Sequence, residues 1–196
     1  MDIPLNFCSV CGAPVRSRIP PGDSLPRAVC DACGAIHYRN PKLVVGALPE
    51  WEDRILLCRR AIEPRHGKWT LPAGFMENHE TIAAAALRET REEANARIEL
   101  GAMFTLLSVP HISQVHVIYR ARLLDLEFAP GEETLDVALF REEEIPWDDI
   151  AFRTIAITLS HYFADRRAGG FGFHTGDVEP PPDLVAPTPR PPPRQG

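Results

Sequence analysis

Residues 74–96 read GFMENHETIAAAALRETREEANA, and the acidic end of this stretch decides how the chain is understood. Glu89, Glu92 and Glu93 stand at i, i+3 and i+4. On an α-helix, at ~100° per residue, that spacing projects the three carboxylates into one arc roughly 100° wide. Acids this close repel and raise one another's pKa unless a positive charge sits between them. A hard divalent cation suits the position, because Mg²⁺ takes oxygen ligands and completes its shell with water and substrate phosphates. A solvated acidic face is the simpler reading of a Glu-rich helix. Against it, Ile82, Ala83, Ala86, Leu87, Thr90 and Ala94 form an adjoining apolar stripe that sets the helix on a core with its acids at the edge. Upstream, residues 67–74 (GKWTLPAG) supply a strand-like turn and a glycine that lets backbone approach an ion closely.

Moving outward, four of the five cysteines form two pairs, Cys8-Ser9-Val10-Cys11-Gly12 and Cys30-Asp31-Ala32-Cys33-Gly34, with 18 residues between Cys11 and Cys30. This is zinc-ribbon spacing: two knuckles closing a tetrahedral thiolate cage. Two disulfides are the competing reading, disfavoured in a chain that starts without an export signal. Four protein ligands leave no open position, so the Zn²⁺ is expected to be structural, contributing on the order of 10 kcal/mol to a unit too small to fold on its own core. Cys58, within Arg54–Arg60 (RILLCRR), reads as a small buried hydrophobe.

At 196 residues and 44% apolar composition, the chain holds one ordinary domain and a small appendage. Its formal charge of −6 provides no global case for nucleic-acid binding. Residues 1–42 carry five Lys/Arg against three Asp, too little for a phosphate-tracking surface, although a ribbon that binds nucleic acid or protein is the alternative function. Apolar runs fall short of a membrane span and the first residues do not read as a signal peptide, so a cytoplasmic protein with no membrane partner is expected.

The domain reading is zinc ribbon over residues 1–39, a larger domain over 40–178, and a disordered Pro-rich tail over 179–196. No internal repeat is visible. Within the larger domain, Lys42–Leu48, Arg54–Arg60, Ala102–Val109, Val115–Leu124 and Leu135–Phe140 read as strands, and Arg153–Arg167 as a helix with Ile155, Leu159, Tyr162 and Phe163 on its apolar side. Glu142-Glu143-Glu144 reads as a charged turn anchoring Ile145 and Trp147. This mixture predicts an α/β class, a mixed sheet between helices.

Gly74, five residues, Glu80, seven residues and Arg88-Glu89-Thr90-Arg91-Glu92-Glu93 together resemble the Nudix box. Thr90 replaces an aliphatic residue, Asn95 the usual late glycine, and His79 a position often held by glycine; none of these touches a carboxylate. The resemblance implies a Nudix α/β/α sandwich that hydrolyses a nucleoside diphosphate linked to another group. It implies Mg²⁺ or Mn²⁺ held by Glu89, Glu92 and Glu93 with the Gly74 carbonyl, and Glu80 with Arg88 holding the loop–helix shape. Members take their general base from the box or a later loop, which points to Glu133 (beside Glu132 and Asp136) first and Glu89 second. A homodimer acting on a small nucleotide is also implied.

Two groups of zinc-ribbon Nudix proteins come into question. The NADH pyrophosphatase and NAD-cap hydrolase group carries SQPWPFPxS after the box, where residues 106–114 here read LLSVPHISQ. The other group includes a plant chloroplast enzyme acting on FAD and ADP-ribose. The resemblance to it runs from Phe7 to about Val178, through residues 40–48 (NPKLVVGAL), 66–80 (HGKWTLPAGFMENHE), 128–136 (FAPGEETLD), 143–152 (EEIPWDDIAF) and 172–178 (GFHTGDV). It implies hydrolysis of FAD or ADP-ribose with release of AMP. Trp69, Phe104 and Tyr119 are stacking candidates for adenine or flavin, although core packing is the commoner role for each.

Overall fold

The computed structural model describes residues 5–180. The chain divides between Pro41 and Lys42 into two compact units. Most of the tail read from residue 179 onward therefore lies outside the described residues.

The first unit is a small antiparallel sheet of β1 (Val15–Arg18), β2 (Arg27–Cys30) and β3 (Ile36–His37). Its two cysteine turns are built alike. Gly12 N–H donates to the Cys8 carbonyl and Gly34 N–H to the Cys30 carbonyl, both at 2.9 Å. Cys8 N–H donates to Ala13 O and Cys30 N–H to Ala35 O. The sequence thus does hold a short repeat, Cys-x-x-Cys-Gly-Ala, used twice, each copy spanning only one turn and so too short to show as a periodic repeat.

The second unit is a mixed eight-stranded sheet. It comprises β4 (Lys42–Trp51), β5 (Arg54–Arg60), β6 (Trp69–Thr70), β7 (Ala73–Phe75), β8 (Ile98–Val109), β9 (Gln114–Leu123), β10 (Thr134–Phe140) and β11 (His174–Asp177). The order along the sheet is β10-β5-β4-β9-β8-β11, with β6 added to β5 and β7 to β4. Helix α1 (Ile82–Ala94) covers one face and α2 (Arg153–Ala168) the other. Strand alternation explains how. Val45, Ala47, Leu56 and Cys58 turn toward the alanines of α1, whereas Leu48, Ile55 and Leu57 pack on Ile155, Leu159, Tyr162 and Phe163 of α2. Each fully buried Leu or Ile contributes roughly 2 kcal/mol, so the sheet is held from both sides.

β4 and β5 pair only at the hairpin end, Glu50↔Ile55 and Trp51↔Arg54. Beyond it they diverge, and β6 and β7 fill the fork. The crossing at β7 is tight: a Cβ on Gly46 would collide with the Pro72 carbonyl and the Ala73 side chain. The strand-like turn expected over residues 67–74 resolves into the two short strands β6 and β7, whereas β11 lay outside the expectation, being too short to show periodicity. β8 begins at Ile98 rather than Ala102, because register shifts between Leu100 and Thr105 disturb its alternation.

Helix α1 is capped at both ends. Thr81 Oγ1 accepts the Ala84 N–H at 3.1 Å, and Asn95 takes the left-handed conformation (φ 50°) that closes the last turn. His79 also has positive φ, 71°, at the place where glycine is usual in the resembled box. The apolar stripe needs correcting. Leu87 is 42% exposed, and the buried face is Ala85, Ala86, Glu89, Thr90, Glu93 and Ala94. The helix turns two acids inward because the residues beneath them, Ala73 and Gly74, are small.

Candidate active site

The fork opens a cavity of about 1260 Å³ on the second unit. Glu89, Glu92 and Glu93 line it, as do Gly74, Glu132 and Glu133. Asp136 does not; its carboxylate accepts the N–H of Val137 on β10. Glu89 and Glu93 are 7% and 9% exposed, while Glu92 stands near solvent. Nothing bulkier than glycine fits at position 74, since a Cβ there would overlap the Glu89 carboxylate.

Arg88 organises this cluster. Its Nε and Nη2 donate to both oxygens of Glu80 (3.0 and 2.7 Å), and its Nη1 donates to Glu89 and Glu92 (2.8 and 2.9 Å). Nη2 also reaches the Phe75 carbonyl at 3.2 Å, and Glu80 accepts the Glu77 N–H, so the loop, β7 and α1 are tied at one point. One guanidinium thus serves Glu80, Glu89 and Glu92, and leaves Glu93 to the Ala73 N–H at 3.3 Å. Burial pushes Glu93 up to about 8, and the nearby Glu89 charge adds to the effect. Glu89 is also raised, by burial that outweighs its bond to Arg88. The cluster is therefore short of positive charge in a poorly hydrated place.

The three aromatic candidates do not line the cavity. Phe104 is 1% exposed and packs edge-on against Tyr162 and His174 in the α2-side core. Trp69 meets Phe140 edge-on at 4.9 Å, and Tyr119 packs against Val45, Ala85 and Ala86 on the α1 side. All three lie on strands whose side chains are taken by the core. Phe75, Trp147 and Phe152 line the cavity in their place. Ile145 is buried as expected, but Trp147 is 42% exposed. Basic side chains also reach the cavity: Arg60, which stacks over Phe152 at 5.2 Å, and Lys68, paired with Asp149. Arg60 ends β5, and only the divergence of β4 and β5 brings it to the cavity.

In the first unit, the ligand atoms of Cys8, Cys11, Cys30 and Cys33 all lie within 4.8 Å of one another. Cys8 and Cys33 Sγ are 3.6 Å apart, and Cys11 and Cys30 Sγ 3.5 Å. A thiolate tetrahedron about 2.3 Å from zinc has an edge of about 3.8 Å. A disulfide, at about 2.05 Å, is excluded, and all five cysteines are free. Soft thiolates in a closed tetrahedron fit a structural Zn²⁺. Cys58 is 1% exposed on β5, with its thiol pushed well up by burial. Among the described residues, no helix is long and apolar enough to cross a membrane.

Two family models match the chain: "Nudix N-terminal", a zinc ribbon, over residues 6–39, and "NUDIX domain" over residues 40–158. A crystal structure of a NUDIX hydrolase from Nitrosomonas europaea is 57% identical, with a TM-score of 0.86, and the match covers 89% of this chain and 99% of that one. An ADP-ribose pyrophosphatase of Methanocaldococcus jannaschii is 29% identical over 56% of this chain and 67% of its own length. The NAD-capped RNA hydrolase NudC of Stutzerimonas stutzeri is 30% identical over 84% of this chain and 58% of its own. This chain thus spans about two thirds of the first of these curated relatives and a little over half of the second. Acidic helix, forked sheet and cysteine cage agree with a domain match over more than half of its length: the chain belongs to the Nudix hydrolase family, with a zinc ribbon ahead of the catalytic domain.

Proposed function

We propose that this chain hydrolyses the pyrophosphate bond of a nucleoside diphosphate derivative, ADP-ribose or FAD, releasing AMP with ribose 5-phosphate or FMN. The observation carrying this reading is the oxygen donor set on α1, crowded against a bare Gly74 and short of positive charge. Such a set fits a hard divalent cation. Mg²⁺ or Mn²⁺ bound there neutralises diphosphate charge and acidifies a water for attack.

The remaining roles belong to the chain. Glu89, Glu92 and Glu93, with the Gly74 carbonyl, would hold the ion. Arg88 and Glu80 keep the helix and β7 in register beneath it. Arg60 and Lys68 line the same cavity and would meet the phosphate oxygens of the substrate. Glu133 accepts the proton of the attacking water; it lines the same cavity, and its charge is felt at Glu93. Glu89 is the competing base. The water oxygen bonds to one phosphorus, the bridging oxygen leaves on the other, and two phosphomonoesters result.

ADP-ribose is supported by the Methanocaldococcus relative, and FAD by the sequence resemblance. A second reading, NADH or NAD-capped RNA as substrate, is favoured by the NudC relatives, one of which matches 84% of this chain. The test is a substrate panel of ADP-ribose, FAD, NADH and NAD-capped RNA with Mg²⁺ or Mn²⁺, products resolved by chromatography, run also on Glu133→Gln. AMP released fastest from ADP-ribose or FAD is the expected result. Preference for the nicotinamide substrates selects the second reading, and no hydrolysis of any diphosphate refutes both.

A further inference from the structure

One polar pair in the cavity has no part in the chemistry above. Gln114 and His116 project from β9 on the same face and both line the cavity, with the imidazole Nε2 2.9 Å from the Gln114 side-chain oxygen. Their surroundings are apolar: Val44, Val109, Ile118 and Val178 line the cavity too. In the sheet register Phe75, Val44 and His116 stand directly opposite one another on neighbouring strands β7, β4 and β9. Directly opposed residues share a face, so these three form one row across the cavity floor.

The chemistry of the pair is that of a neutral hydrogen-bonding edge. Burial lowers His116 to about 4, so the ring is uncharged at physiological pH and exerts no pull on phosphate. One ring nitrogen is engaged by Gln114. The other ring nitrogen and the remainder of the glutamine amide can complement a ligand that presents a donor beside an acceptor. Carboxylates and phosphates present acceptors alone, whereas a nucleobase edge presents both.

Position agrees with this. The acids meet β7, Glu89 at Gly74 and Glu93 at Ala73, and β9 lies two strands away from β7, beyond β4. Two strand spacings are roughly 10 Å, about the reach of a diphosphate and a sugar. Flat side chains are at hand, since Phe75 is half exposed in the same row and Trp147 and Phe152 line the same cavity.

We propose that Gln114 and His116 together form the edge that recognises the adenine ring of the substrate, setting specificity by hydrogen bonds in the uncharged part of the cavity. This rests on the pyrophosphatase reading above, and the experiment separates the two. The measurement is kcat/KM for ADP-ribose and for its analogue carrying unsubstituted purine, which stacks as adenine does but lacks the exocyclic amine. Wild type, His116→Phe and Gln114→Met are compared, with folding checked by circular dichroism.

A site built around a hydrogen bond discriminates against an analogue that lacks it, here by about 10- to 100-fold in the wild type. Either variant should bring the ratio to within about threefold, the loss for ADP-ribose falling mainly on KM, as expected for lost binding. A wild-type ratio near one overturns the proposal outright. A large ratio that survives in folded Gln114→Met also overturns it, whatever the fate of His116→Phe. Failure of the wild type to hydrolyse either compound counts against the pyrophosphatase reading instead.

Discussion

The ribbon cysteines and the α1 glutamates face the same physical problem, gathering anionic ligands around a cation, and they solve it oppositely. The four sulfurs approach from two facing turns, each within 4.8 Å of the others, and close a complete shell. The three carboxylates come from one side of one helix, beside a cavity of about 1260 Å³. A turn can curl around an ion; a rigid helix presents ligands from one direction and leaves the rest of the shell to water and substrate. The closed cage suits a metal held for folding, and on the function proposed above the one-sided acids of α1 would hold one for chemistry. The two also differ in how they handle excess charge. The acids depend on Arg88, which reaches Glu80, Glu89 and Glu92 at once, whereas the ribbon's two knuckles meet at their sulfurs.

This contrast can be broken most directly at Glu92. Glu92→Gln preserves side-chain volume and removes an anionic ligand, so turnover should fall on the order of 100-fold or more while the melting curve holds. Near-normal turnover with saturating Mg²⁺ would remove Glu92 from the open site. The converse test is on the ribbon: Cys11→Ser should abolish stoichiometric zinc and expose residues 5–39 to hydrogen exchange, at a local cost on the order of 10 kcal/mol. Hydrolysis should persist in the catalytic domain. A folded but zinc-free protein that loses chemistry alone would make the ribbon metal more than structural.

The smallest effect, a shift on the order of a few °C, concerns pH. Glu93 is pushed up to about 8 in the native state, against an ordinary value of 4.5. Between those values the native protein keeps a proton that the unfolded chain has lost, so metal-free stability should fall as pH rises through this window. Metal binding displaces that proton, so the Tm gain on adding Mg²⁺ should grow with pH over the same range. Differential scanning fluorimetry across the window measures it. A gain independent of pH would mean that Glu93 stays out of the metal's shell.

Legibility followed the scale of the physics. Capping and the α2 face were readable because each depends on residues within a turn or two of one another: Asn95 ends α1, and Ile155, Leu159, Tyr162 and Phe163 are all buried. The cysteine pairs were readable because their spacing is itself the ligand geometry. The face of α1 was misjudged at Leu87, since hydrophobicity alone does not reveal that a buried surface is lined by Ala73 and Gly74 and receives acids. Trp69, Phe104 and Tyr119 offer stacking surface by residue type while core packing is the commoner role, and the core is where they lie, since a strand residue faces ligand or core according to the sheet around it.

What the sequence determined by itself is the inventory and its local order: a four-thiolate cage, a capped helix with acids at i, i+3 and i+4, and the strands that bury it. These are short-range properties, carried by spacing and side-chain chemistry. What only tertiary structure decided is the cavity: the divergence of β4 from β5, the insertion of β7 over Gly46, and the placing of Arg60, Glu133 and His116 around one space. Those residues are tens of positions apart, and their meeting depends on sheet order and on close backbone approach, which no local pattern encodes.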